Sequence, residues 1–216
     1  MLNQEDSDHA RDRIMEAALD VFAERGYKAT TVRGICTQAG VNVAAIQYYF
    51  GGKEALYRKA LAFSFQQADR KYPQDALLDD SLSAEDRLHR FIRIMLHRFM
   101  DDSHLGRHGK LVAREIADPT GALDHIVDTV MRPRYAVLRE LIPQLAGPGW
   151  SLADIDRFIC SIMGQCLVYR HSRPLVERLS PDIVANAQAV DRTAEMIFQF
   201  SLAALRQLAV NRQDDL

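Results

Sequence analysis

The chain has 216 residues, 48% of them hydrophobic and 26% charged, which suits one large or two modest globular domains with a sizeable core. Lys and Arg number 27 against 29 Asp and Glu, a formal net charge of -2, so no polyanion can be held by global charge and only a local basic patch could hold one. The N-terminus MLNQEDSDHARDR is polar and acidic, no apolar run approaches the ~20 residues of a membrane span, and Cys36, Cys160 and Cys166 show no paired spacing; a cytoplasmic chain with reduced cysteines is expected.

The elements read as helices throughout, with few alternating strand runs and no internal repeat. Ile14, Ala17, Ala18, Val21 and Phe22 recur at helical spacing, and Gly26 supplies the stop. Thr30 and Thr31 offer caps for a short second helix carrying Val32, Ile35, Cys36 and Ala39, ended by Gly40. Asn42 caps a third, with Val41 and Ile46 placed as a hydrophobic staple. Lys53 opens a fourth that stops before Pro73. The stretch YPQDALLDDS has no clear periodicity and reads as a domain junction.

Beyond it, Ser83 and Asp86 form a capping-box-like start for a fifth helix striped by Leu88, Phe91, Ile92, Met95, Leu96 and Phe99. Leu111, Val112 and Ile116 mark a sixth, closed by Asp118 and Pro119. A seventh is expected from about Leu123 to Leu145, kinked or broken at Pro133. Ser151 caps the eighth, and Ser180 with Pro181 is expected to begin the ninth, whose Ile183, Ala187, Val190, Ala194, Ile197, Ser201, Leu205 and Leu208 step by three and four. Both of these helices are apolar off the main stripe as well, more than one internal contact face requires, and a helical dimer interface would absorb the surplus.

One interval departs from the even charge balance. Between Glu24 and Glu54 there is no Asp or Glu, while Arg25, Lys28, Arg33 and Lys53 fall there. The same interval holds the second and third helices with their turn at Gly40, which match a helix-turn-helix whose following helix enters the major groove. Ile46 and Phe50 account for the inward face of that helix, leaving Val43, Ala44, Gln47 and Tyr48 outward. Small residues at Ala44 and Ala45 let a helix approach base edges, Gln47 can pair with adenine, and the hydroxyls of Tyr48 and Tyr49 can reach phosphates. Arg33 is a candidate for a guanine contact, and Lys53 at a helix start for a phosphate.

On these residues, AALDVFAERGYKATTVRGICTQAGVNVAAIQYYFGGKEALY resembles the N-terminal DNA-binding domain of the TetR family of transcriptional regulators over nearly its whole length. By that resemblance Arg33, Val43, Ala44, Ala45 and Tyr48 fall where family members touch bases, and Thr31, Gln47, Tyr49 and Lys53 fall at backbone-contacting positions. Where the family often has Gly or Pro then Thr, this chain has Ala44 and Ala45, and it has Gln47 in place of Tyr. In the second half AREIADPTGALD, Arg132 with Pro133, and SIMGQCLVYRHSRPLVERL resemble the CecR-like subgroup of the family.

The resemblance implies an all-α fold: a helix-turn-helix DNA-binding domain over 1–52, a connecting helix over 53–72, and a helical ligand-binding and dimerisation domain over 73–216. It implies a repressor that binds palindromic double-stranded DNA as a homodimer through its last two helices and is released by a small-molecule effector, with no cofactor, no metal and no membrane partner. Met95, Phe99, Met131, Phe158, Met163 and Tyr169 are candidates to line the effector site, and Arg114 and Gln165 to orient the ligand; core packing and structural hydrogen bonds are the alternatives. An enzyme is not expected, since His104 and His108 stand at i and i+4 with no matching ligand pair. The competing reading is a DNA-independent helical partner-binding module.

Overall fold

The computed structural model describes residues 4–101 and 106–214. In chain order α1 is Gln4–Ala29, α2 Val32–Ala39, α3 Val43–Phe50, α4 Lys53–Lys71, α5 Asp75–Leu78, α6 Ala84–Met100, α7 Gly106–Ala117, α8 Gly121–Ile126, α9 Arg132–Ala146, α10 Leu152–His171, α11 Arg173–Leu179 and α12 Ala187–Asp214. There is no strand among the described residues. None of their helices is long and apolar enough to cross a membrane.

Four helix starts follow the side chains expected to cap them. Thr31, Asn42, Ser83 and Ser151 each accept a hydrogen bond from a backbone N–H one turn in, at Gly34, Ala44, Asp86 and Asp154. Two expectations need correction, and the break expected at Pro133 takes the form of a π-helical turn. The aperiodic stretch before Ser83 contains the single turn α5, because the buried Arg87 guanidinium donates to the Leu77 carbonyl at 2.8 and 3.0 Å and to Asp80 at 3.0 Å. The expected seventh helix splits into α8, a π-helical turn over Val127–Met131, and α9. Pro133 has no N–H for the carbonyl four residues back and its ring crowds that carbonyl, so the wider register relieves the clash.

The other correction concerns the last helix. Pro181 begins only the 3-10 turn Pro181–Ile183, in which the Val184 N–H returns to the Pro181 carbonyl at 3.2 Å. α12 starts later, where the Asn186 side chain accepts from the Ala189 N–H at 2.9 Å. Ile183 is therefore exposed and off the stripe it was expected to join, and α11 forms ahead of it.

The chain packs into two units. The first gathers the described residues of 1–70 and 102–130, so that α7 and α8 join the N-terminal helices. Ile14, Ala18 and Phe22 of α1, Ile35 of α2, Ile46 of α3, Leu56 and Leu61 of α4 and Leu111 of α7 are buried there. α1 departs from helical geometry at Gly26, whose φ of 76° and ψ of 174° suit a residue without a Cβ. That break frees carbonyls at the end of the preceding turn. Arg114 of α7 takes them, Nε donating to Ala23 O at 2.8 Å and Nη2 to Glu24 O.

The same helix brings a carboxylate into the interior. Glu115 is 1% exposed and accepts from Tyr57 Oη at 2.6 Å, from the Thr120 N–H at 2.8 Å and from Thr120 Oγ1 at 2.9 Å. Nearby His108 Nδ1 meets Ser64 Oγ at 2.9 Å, and its ring stands edge-on to Phe65. Burial, and then the hydrogen bond to Glu115, push the Tyr57 phenol well above its ordinary value, so it stays a donor.

The second unit comprises the described residues of 71–101 and 131–216. Leu88, Phe91, Ile92 and Leu96 of α6 pack with Leu138, Leu141 and Ile142 of α9. Ile155, Ile159, Ile162 and Cys166 of α10 and Val190, Ala194, Ile197, Leu202 and Leu205 of α12 complete that core.

Removing the buried acceptor leaves donors unpaired, which sets an expected cost. Glu115→Ala should destabilise the protein by about 2–4 kcal/mol and Tyr57→Phe by about 1–2 kcal/mol. Urea unfolding at neutral pH reads both, and losses under 0.5 kcal/mol would show the Glu115 network to be dispensable.

Candidate nucleic-acid interface

α2 and α3 are each about two turns long, too short to persist alone, and their ends are closed on both sides. Gly40, at φ 64°, sends its N–H back to the carbonyls of Cys36 and Thr37, and the Val41 N–H reaches Cys36 O at 3.0 Å. Cys36 lies buried behind this turn, and burial pushes its thiol up. Asn42 then starts α3, its Oδ1 accepting from the Ala44 N–H at 2.9 Å. This is the helix-turn-helix expected from the spacing.

Ile46 and Phe50 face inward, at 1% and 4% exposure. Val43, Ala44, Gln47 and Tyr48 face outward, and Tyr48 is 81% exposed. Ala45 and Tyr49 sit at the margin, half-buried, with the Tyr49 ring edge-on to Tyr48 at 4.8 Å between centroids. Val43 and Tyr48 are large apolar or aromatic side chains left exposed on a helix of two turns. Arg33 on α2 is exposed, and its guanidinium makes no hydrogen bond or ion pair among the described residues. Thr31 Oγ1 accepts from the Gly34 N–H at 3.1 Å, which leaves its hydroxyl proton to donate.

Between α3 and α4 the backbone passes through Gly51 and Gly52 at φ 80° and 117°, successive positions that side chains rarely adopt. The turn delivers Lys53 to the start of α4, where the first N–H groups have no carbonyl partner within the helix. Its Nζ stands 4.4 Å from the centroid of the Tyr27 ring, and burial pushes its pKa down. Tyr27 is itself packed at 5.0 Å from Tyr57, and Tyr57 at 4.8 Å from Phe22. Lys53 is thus held by an aromatic cluster that ends on Glu115. Sequence reading singled out neither Tyr27, Tyr57 nor Glu115; the available signal was a lone carboxylate four residues after Leu111 in an apolar stripe. Of the other cations in the acid-free interval, Lys28 pairs with Asp118 of the same unit at 2.5 Å, and both are exposed.

The residues considered for a small-molecule site do not all meet. Met95, Phe99, Phe158, Met163 and Tyr169 pack half-buried against the core of the second unit, and Gln165 Nε2 donates to Ser201 Oγ at 3.2 Å. Met163 lines, with Phe91, Leu138 and Ile162, a gap in that core too narrow to admit water. Met131 ends the π-helical turn. Arg114 belongs to the first unit and is engaged with the α1 carbonyls. His104 lies outside the described residues, and among those described no group of His, Cys, Asp and Glu is arranged to hold a metal.

Comparison with known proteins agrees with this geometry. Residues 14–60 match the family model for bacterial regulatory proteins of the tetR family, and residues 84–205 match that for the C-terminal domain of the HTH-type transcriptional dual regulator CecR. CecR of Shigella flexneri is 29% identical over 174 residues, 76% of each chain. The HTH-type transcriptional repressor NicS of Pseudomonas putida is 39% identical over 72 residues, 32% of this chain and 34% of that one. Among solved structures, HlyIIR, a haemolysin II transcriptional regulator, shares the fold with a TM-score of 0.60 at 23% identity, covering 83% of this chain and 97% of that one. With a helix-turn-helix at one end and the second match spanning more than half its length, the chain belongs to the CecR-like branch of the TetR family of transcriptional regulators.

Proposed function

We propose that the chain is a ligand-responsive repressor that binds a palindromic operator as a homodimer. The observation that carries the reading is the outward face of α3, Val43, Ala44, Gln47 and Tyr48, flanked by the unpaired guanidinium of Arg33 and the ring-supported Lys53. Arg33, Val43, Ala44, Ala45 and Tyr48 read base edges, while Thr31, Gln47, Tyr49 and Lys53 fix the protein on the backbone. A relative named as a repressor, NicS, supports the sign of regulation.

Dimerisation is supported by an apolar face on α10 and α12. Met196 and Phe200 are 70% and 66% exposed, and Val168 lies beside them around an open hollow of about 240 Å³. Two such faces brought together present the recognition helices as a pair, about 34 Å apart when both half-sites are filled. For the effector, the supporting observation is Gln74, whose Oε1 is buried without a hydrogen-bond partner while its Nε2 meets Met95 Sδ at 3.3 Å. An orphaned acceptor beside Met95 suits a ligand that brings a donor. A ligand that favours a different spacing of the reading heads weakens DNA binding by its differential affinity for the two states, typically about 1–3 kcal/mol.

Footprinting and anisotropy on DNA flanking the coding region, at two salt concentrations, test the DNA reading. Arg33→Ala should cost about 1–3 kcal/mol and relax sequence preference, whereas Lys53→Ala should weaken all sequences alike and lower the salt slope by about 1. Unaltered DNA affinity in both variants would move the reading to a DNA-independent partner-binding module. In sedimentation velocity, Phe200→Glu should convert a dimer to a monomer and reduce operator affinity; a wild-type monomer, free and on DNA, would rule out the dimer. Effector candidates titrated against a preformed DNA complex should release the protein, less readily in Gln74→Leu, and unchanged affinity at saturating ligand would sink the effector reading.

A further inference from the structure

α6 turns Leu88, Phe91, Ile92 and Leu96 into the core of the second unit, and its opposite face carries a second pattern. Arg90, Arg93, Ile94 and His97 recur there at i, i+3, i+4 and i+7 and so form one stripe. With Lys71, Tyr72 and Pro73 this stripe lines an open groove of about 680 Å³, all within the second unit. That volume falls in the range of roughly 300–1,000 Å³ common to small-molecule sites.

Lys71 and Arg93 are held from behind. Asp191 of α12 accepts Arg93 Nε at 2.7 Å and Nη2 at 3.2 Å, and pairs with His97 Nε2 at 2.6 Å. Those contacts, Arg93 first, keep its carboxyl ionised down to about 2. Asp101 accepts Lys71 Nζ at 2.7 Å and Tyr72 Oη at 3.0 Å. Arg93 retains Nη1 without a partner, and exposed Arg90 makes no hydrogen bond or ion pair among the described residues. Two guanidinium groups one turn apart therefore offer unused N–H donors in the fork geometry that matches a carboxylate.

Charge narrows the ligand class. Lys71, Arg90 and Arg93 are nearly balanced by Asp75 on the rim and by Asp101 and Asp191 behind, so net field alone would not retain a compact polyanion. Affinity has to come from directional guanidinium bonds together with burial of an apolar body against Tyr72, Pro73 and Ile94. We propose that this groove binds a small organic monocarboxylate, its carboxylate on Arg90 and Arg93 and its apolar body on Tyr72, Pro73 and Ile94. The site lies on the side of α6 away from Leu88 and Leu96, and it stands whether or not the chain reads DNA.

The test is a titration of the full chain, followed by NMR or equilibrium dialysis, with benzoate as the probe and inorganic phosphate as the compact comparison. Operator binding is measured on the same preparations, so failure of either reading is seen separately. Benzoate should bind saturably and more tightly than phosphate, roughly tenfold more weakly in Arg90→Glu and several-fold more weakly in Ile94→Ser. Lys110→Glu, the same charge change at an exposed position of the first unit, should bind as the wild type does. Absence of saturable benzoate binding up to about 10 mM overturns the proposal. An equal loss in Lys110→Glu overturns it in favour of unspecific charge attraction, and tighter binding of phosphate overturns the carboxylate assignment.

Discussion

A carboxylate taken out of water without a cation needs every one of its hydrogen bonds, and Glu115 meets that demand with the phenol of Tyr57 and the two donors of Thr120. Because those donors come from α4 and from the cap of α8, the requirement fixes three helices of the first unit at one point. Tyr57 carries the constraint onward, its ring set against Phe22 and Tyr27, and Tyr27 in turn carries Lys53. A side chain that would otherwise sweep a wide volume is held at the first turn of α4, the place of the proposed phosphate contact. Less of its entropy then remains to be lost on binding.

The two helices of the reading head depend on the same economy of order. Each is too short for self-stability, so Thr31, Gly40, Asn42 and Gly51 close the ends while Ile35, Ile46 and Phe50 supply the buried contacts. With so few inward positions committed, the outward positions of α3 are free of any structural duty. That freedom leaves Val43, Ala44, Gln47 and Tyr48 available for the base and backbone contacts proposed for them. Arg114 contributes a separate repair: the break at Gly26 leaves α1 carbonyls without helical partners, and a guanidinium from α7 supplies the donors.

In the second unit the polar side chains do two kinds of work. Arg87 is nearly buried and closes α5 through the Leu77 carbonyl, which makes a stable turn of a stretch with no periodicity of its own. Asp191, nearer the surface, holds Arg93 and His97 on the outer face of α6, and the buried carboxylate of Asp101 holds Lys71 at the end of α4. The first arrangement engages all three nitrogens of the guanidinium. The second leaves donors over, and a groove with donors left over is where recognition chemistry can be built.

What the sequence by itself determined was local: the all-helical class, the caps at Thr31, Asn42, Ser83 and Ser151, the stop at Gly40, the inward pair Ile46 and Phe50 and the outward face of α3. Each is written in a few consecutive residues whose propensity and spacing act within one or two turns. Tertiary structure alone decided that Arg114 and Glu115, adjacent on α7, serve the N-terminal helices, and that Tyr27 and Tyr57 stand behind Lys53. Such contacts join residues distant in the chain, and their energy depends on what burial brings together, which no local pattern of residues encodes.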